Sequence, residues 1–214
     1  MYLESGGERI FHSLCKTLLY KIAHILQSHV RPIWQVVEWG NGVLFKIQYG
    51  RKQRKSELGV LPGYPNVRRV QEADVDALES FFAMQPAEAF EYFRPHSFNK
   101  KTLKRLSRNP SFLMYVYLRE SEIVGYFFLR CFFIGKSYLG KMVDMSYQGQ
   151  GIGQQMCLCA MDLASSIGMR MFETISPKNL ASLYSSQKVL EVKIIEEMEN
   201  GYLYIEDLRK RSLD

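Results

Sequence analysis

The stretch Gln148-Gly149-Gln150-Gly151-Ile152-Gly153 constrains this chain more than any other. It follows an apolar run with strand character, Tyr138–Met145, and opens one with helix character, Ile152–Ile167. A glycine inside a regular element costs about 0.5–1 kcal/mol, so three of them are a poor way merely to join a strand to a helix. Glycine does allow positive φ and close approach of the backbone to a ligand. The unpaired N–H groups at a helix start, at the positive end of its macrodipole, then form an anion site. A phosphate or pyrophosphate suits such a turn.

The rest of the pattern says what surrounds it. Residues 8–29 carry Phe11, Leu14, Cys15, Leu18, Ile22, Ile25 and Leu26 on one 3.6-residue stripe, which predicts an amphipathic helix ended by Arg31-Pro32. Trp34–Trp39 and Val43–Tyr49 flank Gly40-Asn41-Gly42 and predict a hairpin. The glycine, proline and charge content of 50–65 predicts a linker, which divides the chain into an N-terminal extension, 1–65, and a main domain, 66–214.

Within the main domain, Val67–Val70 reads as a short strand and Asp74–Phe82 as a helix, with short helices around 86–92 and 99–107. Three strands follow, Phe112–Arg119, Ile123–Phe133 and Tyr138–Met145, with breaks short enough to make them antiparallel neighbours. After the Ile152–Ile167 helix come a strand, Met169–Ile175, a helix, Asn179–Lys188, and a hairpin, Val192–Glu199 with Tyr202–Leu208, around Asn200-Gly201. These elements predict an α+β (α/β three-layer) fold, a mixed and mostly antiparallel sheet flanked by helices, preceded by a helix-plus-hairpin extension.

Composition removes several function classes. Hydrophobic residues are 47% and charged residues 23%, as in an ordinary globular protein. No apolar run reaches the ~18–20 residues of a membrane span, and no secretory pattern opens the chain, so the cytoplasm is the default location. The net charge of +6 has one dense basic run, Arg51–Lys55, which is better explained as a solvated loop than as a nucleic-acid surface. Cys15, Cys131, Cys157 and Cys159 have neither disulfide nor metal spacing and read as buried thiols; no metal is expected.

The glycine turn is not a Walker loop, because Gly153 is followed by Gln154-Gln155 instead of Lys-Ser/Thr. Nor is it a dinucleotide fingerprint, since Gln154 or Met156 stands where the third glycine belongs. It satisfies Q/R-x-x-G-x-G/A, with Val143 five residues before Gln148. Here the chain resembles the GNAT N-acetyltransferase family, whose element order also matches residues 66–208. The resemblance implies acetyl-CoA as acyl donor. Backbone amides of Gly149, Gln150, Gly151, Ile152, Gly153 and Gln154 would take the pyrophosphate, and Val143, Asp144 and Met145 would pair with the pantetheine arm. Gln148 and Asn179 would complete the cofactor site. The strand would part from Met169–Ile175 to admit the thioester, and a main-chain N–H near Val143 would stabilise the oxyanion.

The resemblance also implies an acid that protonates the departing thiolate. Asn179, Ser182 and Lys188 fit N-x-x-A/S-x-x-x-Y-x-K, but Ser186 occupies the tyrosine position and Tyr184 lies two residues earlier. Two residues turn a helix by about 200°, so Tyr184 serves only if the helix is rotated or shifted. Candidates for the base are His96, Glu91 and Glu173. Phe93-Arg94-Pro95-His96-Ser97-Phe98 is similar to an F-x-P-H segment of bacterial GNAT enzymes of amino-sugar and surface-polysaccharide pathways. That similarity implies a small-molecule primary amine, such as an amino sugar, as acceptor. A peptide or protein amine and a non-catalytic acyl-CoA-binding module stay open as alternatives. For the 8–29 helix, with Lys16, Lys21 and Arg31 on its polar side, packing on its own domain, a homodimer contact and a membrane surface also stay open.

Overall fold

The computed structural model describes residues 31–209. The predicted 8–29 helix and Cys15 lie outside that range. The first described element is a helix, α1 (Arg31–Val60). It replaces both the predicted hairpin and most of the predicted linker. The buried or half-buried positions from Gly42 onward are Gly42, Phe45, Tyr49, Gly50, Gln53, Ser56, Glu57 and Val60, which recur every three to four residues, whereas Ile47, which a strand would place beside Phe45, is 78% exposed. The period is helical. Gly42 is there for close approach, since a Cβ on it would lie 3.3 Å from Asn109 Oδ1. Arg51, Lys52, Arg54 and Lys55 form the solvated side of this helix.

The remaining elements are β1 (Val67–Arg69), α2 (Val75–Met84), α3 (Lys100–Ser107), β2 (Phe112–Arg119), β3 (Glu122–Phe132) and β4 (Lys136–Val143). They are followed by α4 (Ile152–Ile167), β5 (Arg170–Ile175), α5 (Leu180–Val189), β6 (Leu190–Glu197) and β7 (Leu203–Arg209). The strands form one seven-stranded sheet in the order β1-β2-β3-β4-β5-β7-β6. Every neighbouring pair is antiparallel except β4 with β5. The mixed, mostly antiparallel sheet flanked by helices is therefore present as expected.

Strand alternation sends side chains to two cores. One holds Phe45 and Tyr49 of α1 with Tyr115, Phe127, Leu129 and the inner face of α4, including Met156, Ala160 and Leu163. Ser56 Oγ donates to Leu163 O at 3.2 Å and Tyr115 Oη to Glu57 Oε1 at 2.7 Å, which ties α1 to the sheet. The second core joins α2 and α3 to Phe112, Met114, Tyr126 and Phe128. Cys131, Cys157 and Cys159 are buried free thiols.

Two features of β4 place the site. It pairs with β3 along its whole length, but its parallel pairing with β5 covers only Lys136↔Arg170, Ser137↔Met171 and Tyr138↔Phe172. Beyond Tyr138 the two strands part. At Gly140 the ring of Phe128 crosses the strand so closely that an added Cβ would sit 2.4 Å from Phe128 Cε1. Gly140→Ala must displace that ring and is expected to cost about 1–2 kcal/mol, read from the denaturation midpoint.

Candidate active site

The strand-to-helix turn is built by its own side chains. Asp144 accepts from Ser146 N at 2.8 Å and from Gln85 Nε2 at 2.7 Å, starting the short 3₁₀ turn Met145–Tyr147. Partial burial would raise this carboxyl, but hydrogen bonds from Ser146 and Gln85 outweigh it and hold the group below its ordinary range. Gly149 and Gly151 follow with φ of +76° and +78°, the left-handed conformation that the sequence requires of them. The ladder of α4 begins with Gln155 N–H on Gly151 O at 3.1 Å. The N–H groups of Ile152, Gly153 and Gln154 thus stand ahead of it, at the positive helix end. A Cβ on Gly149 or Gly151 would meet nothing within 4 Å, so the turn faces open space.

That space is the mouth of a cleft of about 490 Å³. It is walled by Val143 and Met145 of the β4 end, Tyr147, the turn itself, and Asn179, Ser182, Tyr184, Ser185 and Lys188 of α5 and its cap. Asn179 caps α5 by accepting from Ser182 N at 3.1 Å. Of the expected cofactor residues, Val143, Met145, Gln148, Gly149, Gly151, Ile152, Gly153, Gln154 and Asn179 line the cleft. Asp144 and Gln150 are not among the lining residues; the Asp144 side chain shapes the turn, and the Gln150 side chain accepts from Arg119.

The four candidate catalytic side chains are not brought together, and Glu91 is exposed and not among the residues that line the cleft. Tyr184 lines the cleft but is 60% exposed, and its hydroxyl accepts from Lys188 Nζ at 3.3 Å. His96 is not among the lining residues: its Nδ1 lies 3.0 Å from Ser97 O and its Nε2 3.3 Å from Tyr126 Oη, among the rings of Phe98, Phe112 and Phe128. Burial, with a smaller contribution from Arg105, pushes His96 below its ordinary pKa, so it is neutral at pH 7. Its loop nevertheless contributes Tyr92 and Phe93 to the cleft, together with Glu88 and Ala89. Glu173 is 3% exposed beneath the parted strands, where it binds Lys141 and Ser186.

Sequence reasoning missed Lys141, Glu88, Tyr92 and Ser185. For Lys141 a signal existed: Ser137, Leu139, Lys141 and Val143 alternate along β4, and a lysine in an otherwise inward-facing series needs a buried partner.

Comparison with known proteins agrees with this geometry. Residues 75–186 match the acetyltransferase (GNAT) family. The GNAT domain of S. lividans PAT superposes with a TM-score of 0.59 at 17% identity, covering 66% of this chain and 89% of that one. AAC(6')-Ib in complex with paromomycin and acetyl-CoA gives 0.56 at 14% identity, with 70% and 97% covered. The PaiA N-acetyltransferase of Thermoplasma acidophilum in complex with coenzyme A gives 0.55 at 14% identity, with 67% and 98% covered. A comparison with curated protein sequences returned no match. With its family pattern spanning more than half its length, the turn and cleft in place, and the sheet of these relatives, the chain belongs to the GNAT acetyltransferase family.

Proposed function

We propose that this acyltransferase moves an acetyl group from acetyl-CoA to a primary amine of a small molecule. The observation that carries the reading is the continuity of the anion-binding turn with the gap between β4 and β5. A pyrophosphate on the N–H groups of residues 149–154 sends a pantetheine arm along the edge of β4 that β5 leaves unpaired. The arm's amides can then bond to that edge as a strand would. Its thioester ends near Lys141–Val143, where main-chain N–H groups can receive the oxyanion.

The acceptor end of the cleft supplies Glu88, Tyr92 and Phe93. A carboxylate beside two aromatic rings suits a cationic amine carried on a ring that stacks, as in an amino sugar. Relatives that hold kanamycin or paromomycin support an amine of this class. Within this reading His96 anchors the loop that presents Tyr92 and Phe93.

Calorimetric titration of the full chain with acetyl-CoA tests the donor, and thiol release across an amine panel tests the acceptor. Micromolar binding followed by turnover with amino sugars is the expected result. A folded chain that ignores millimolar acetyl-CoA would sink the reading. Removing a general acid costs 10²–10⁴ in rate. Because Tyr184 is mostly exposed and engaged by Lys188, Tyr184→Phe is expected to lower kcat by under about threefold.

A further inference from the structure

Beneath the cleft lies a charged cluster that the steps above leave unused. Lys141 of β4 and Glu173 of β5 form an ion pair at 2.8 Å, with side chains 6% and 4% exposed. Lys141 Nζ also donates to Ser186 Oγ at 3.0 Å, and Ser186 Oγ donates to Glu173 Oε1 at 3.0 Å. Cys157 Sγ of α4 is 3.6 Å from the same serine hydroxyl, and Asp207 of β7 is buried nearby. Burial favours the neutral amine, but the Glu173 carboxylate bound to it outweighs that and keeps Lys141 charged.

An ammonium has three N–H donors. Glu173 and Ser186 take two, and among the described residues no acceptor takes the third. A buried donor without an acceptor is costly, yet Lys141 is one of the residues that line the cleft. An atom of the bound ligand can supply what is missing.

We infer that Lys141 holds the sulfur of the acyl donor and gives its remaining N–H to the thiolate that departs. This rests on the acetyl-CoA reading above. During transfer the amine nitrogen attacks the thioester carbonyl carbon, a C–N bond forms, and the C–S bond breaks with its electron pair going to sulfur. The proton lost by the amine passes to solvent. Lys141 keeps its own proton and donates a hydrogen bond to the new anion, in a site where low dielectric makes such a bond strong. The carbonyl oxygen belongs to the main-chain donors in the sheet plane, whereas the Lys141 side chain leaves the sheet toward Cys157 and Ser186. Of the nearby hydroxyls, Ser186 gives its proton to Glu173 and Ser185 gives its proton to Ser182 O, while Tyr184, which accepts from Lys188, stands 60% exposed.

Free coenzyme A is the probe. Its bound thiol is titrated by ultraviolet thiolate absorbance, taken as the difference between loaded and unloaded protein so that the chain's own cysteines cancel. In the wild type the bound thiol is expected to titrate at least about one pH unit below free coenzyme A, itself near the ~8.5 of an ordinary thiol. The double variant Lys141→Met with Glu173→Gln removes both charges together, so neither member of the pair is left as a lone buried ion. In it the titration should return to or above the free value. Its kcat should fall at least about tenfold, with KM for acetyl-CoA within about threefold.

Unchanged titration in the folded double variant would overturn the inference and leave Lys141 a strut between strands. A wild-type bound thiol titrating at or above the free value would overturn it whether or not the variant folds. Failure of coenzyme A to bind the wild type is a different result, and it sinks the acetyl-CoA reading itself.

Discussion

Gly151→Trp is expected to raise the Kd for acetyl-CoA at least 100-fold, about 2.7 kcal/mol, while the chain keeps its fold. Gly151 has φ of +78°, where any other residue costs roughly 1–2 kcal/mol. No heavy atom lies within 4 Å of the position its Cβ would take, so the new side chain enters the open space ahead of α4 without breaking a packed contact. On the proposed reading, that is the space the pyrophosphate needs. An indole there blocks the N–H groups of residues 152–154 and offers no charge in return. Calorimetry with acetyl-CoA measures the loss, and circular dichroism checks the fold. Binding within tenfold of wild type would place the pyrophosphate elsewhere.

Asp207→Asn is expected to stabilise the protein, and to do so only toward alkaline pH. Both carboxyl oxygens of Asp207 are buried and accept from no donor among the described residues, whereas the protonated group can give its hydrogen to Glu173. Burial, and then the neighbouring Glu173 carboxylate, raise its pKa from an ordinary 3.8 to about 8. Between about pH 4 and pH 8 the folded chain keeps a proton that the unfolded chain releases. Stability must therefore fall as pH rises through that window and level off above it. An asparagine cannot ionise and keeps an N–H donor for Glu173, so its stability does not share the fall. The difference should be near zero at pH 4.5 and on the order of 2–4 kcal/mol at pH 8.5, roughly 5–10 °C in Tm. Thermal denaturation of both proteins across that range checks it, and a gap that stays constant with pH would refute the account.

The main sheet was legible because its signals are local and mutually consistent. Short breaks at Glu120-Ser121 and Gly135 fix antiparallel neighbours, and Gly151 and Gly168, both left-handed, bracket α4 where the sequence places its ends. The turn was legible for the same reason: positive φ accounts for Gly149 and Gly151. Residues 31–60 misled because Gly40-Asn41-Gly42 is a strong turn signal, while the evidence for a helix is the spacing from Gly42 to Val60, and its partners Tyr115 and Leu163 lie about 60 to 120 residues away. The catalytic side chains were illegible for a related reason. Glu173 alternates along β5 as a cleft residue would, and only the position of Lys141 on a strand that has already parted decides that it is drawn below the surface instead. His96 sits in a loop that reaches the cleft, but the rotation that turns Tyr92 and Phe93 outward turns the imidazole onto Tyr126.

The parting of β4 from β5 also bears on how force travels through the molecule. On one side, β1 to β4 form a continuous hydrogen-bonded block; on the other, β5, β7 and β6 form a second. Between them run three residue pairs near one end, where Tyr138 also meets the Tyr204 hydroxyl at 3.1 Å, and the Lys141–Glu173 ion pair further along. The two blocks are thus coupled like leaves on a short hinge, with Lys141–Glu173 as a clasp. On the proposed reading, a donor seated between them would span the seam as an eighth, removable strand. Mechanical continuity across the sheet would then be a property of the loaded state, and each turnover would loosen and remake it.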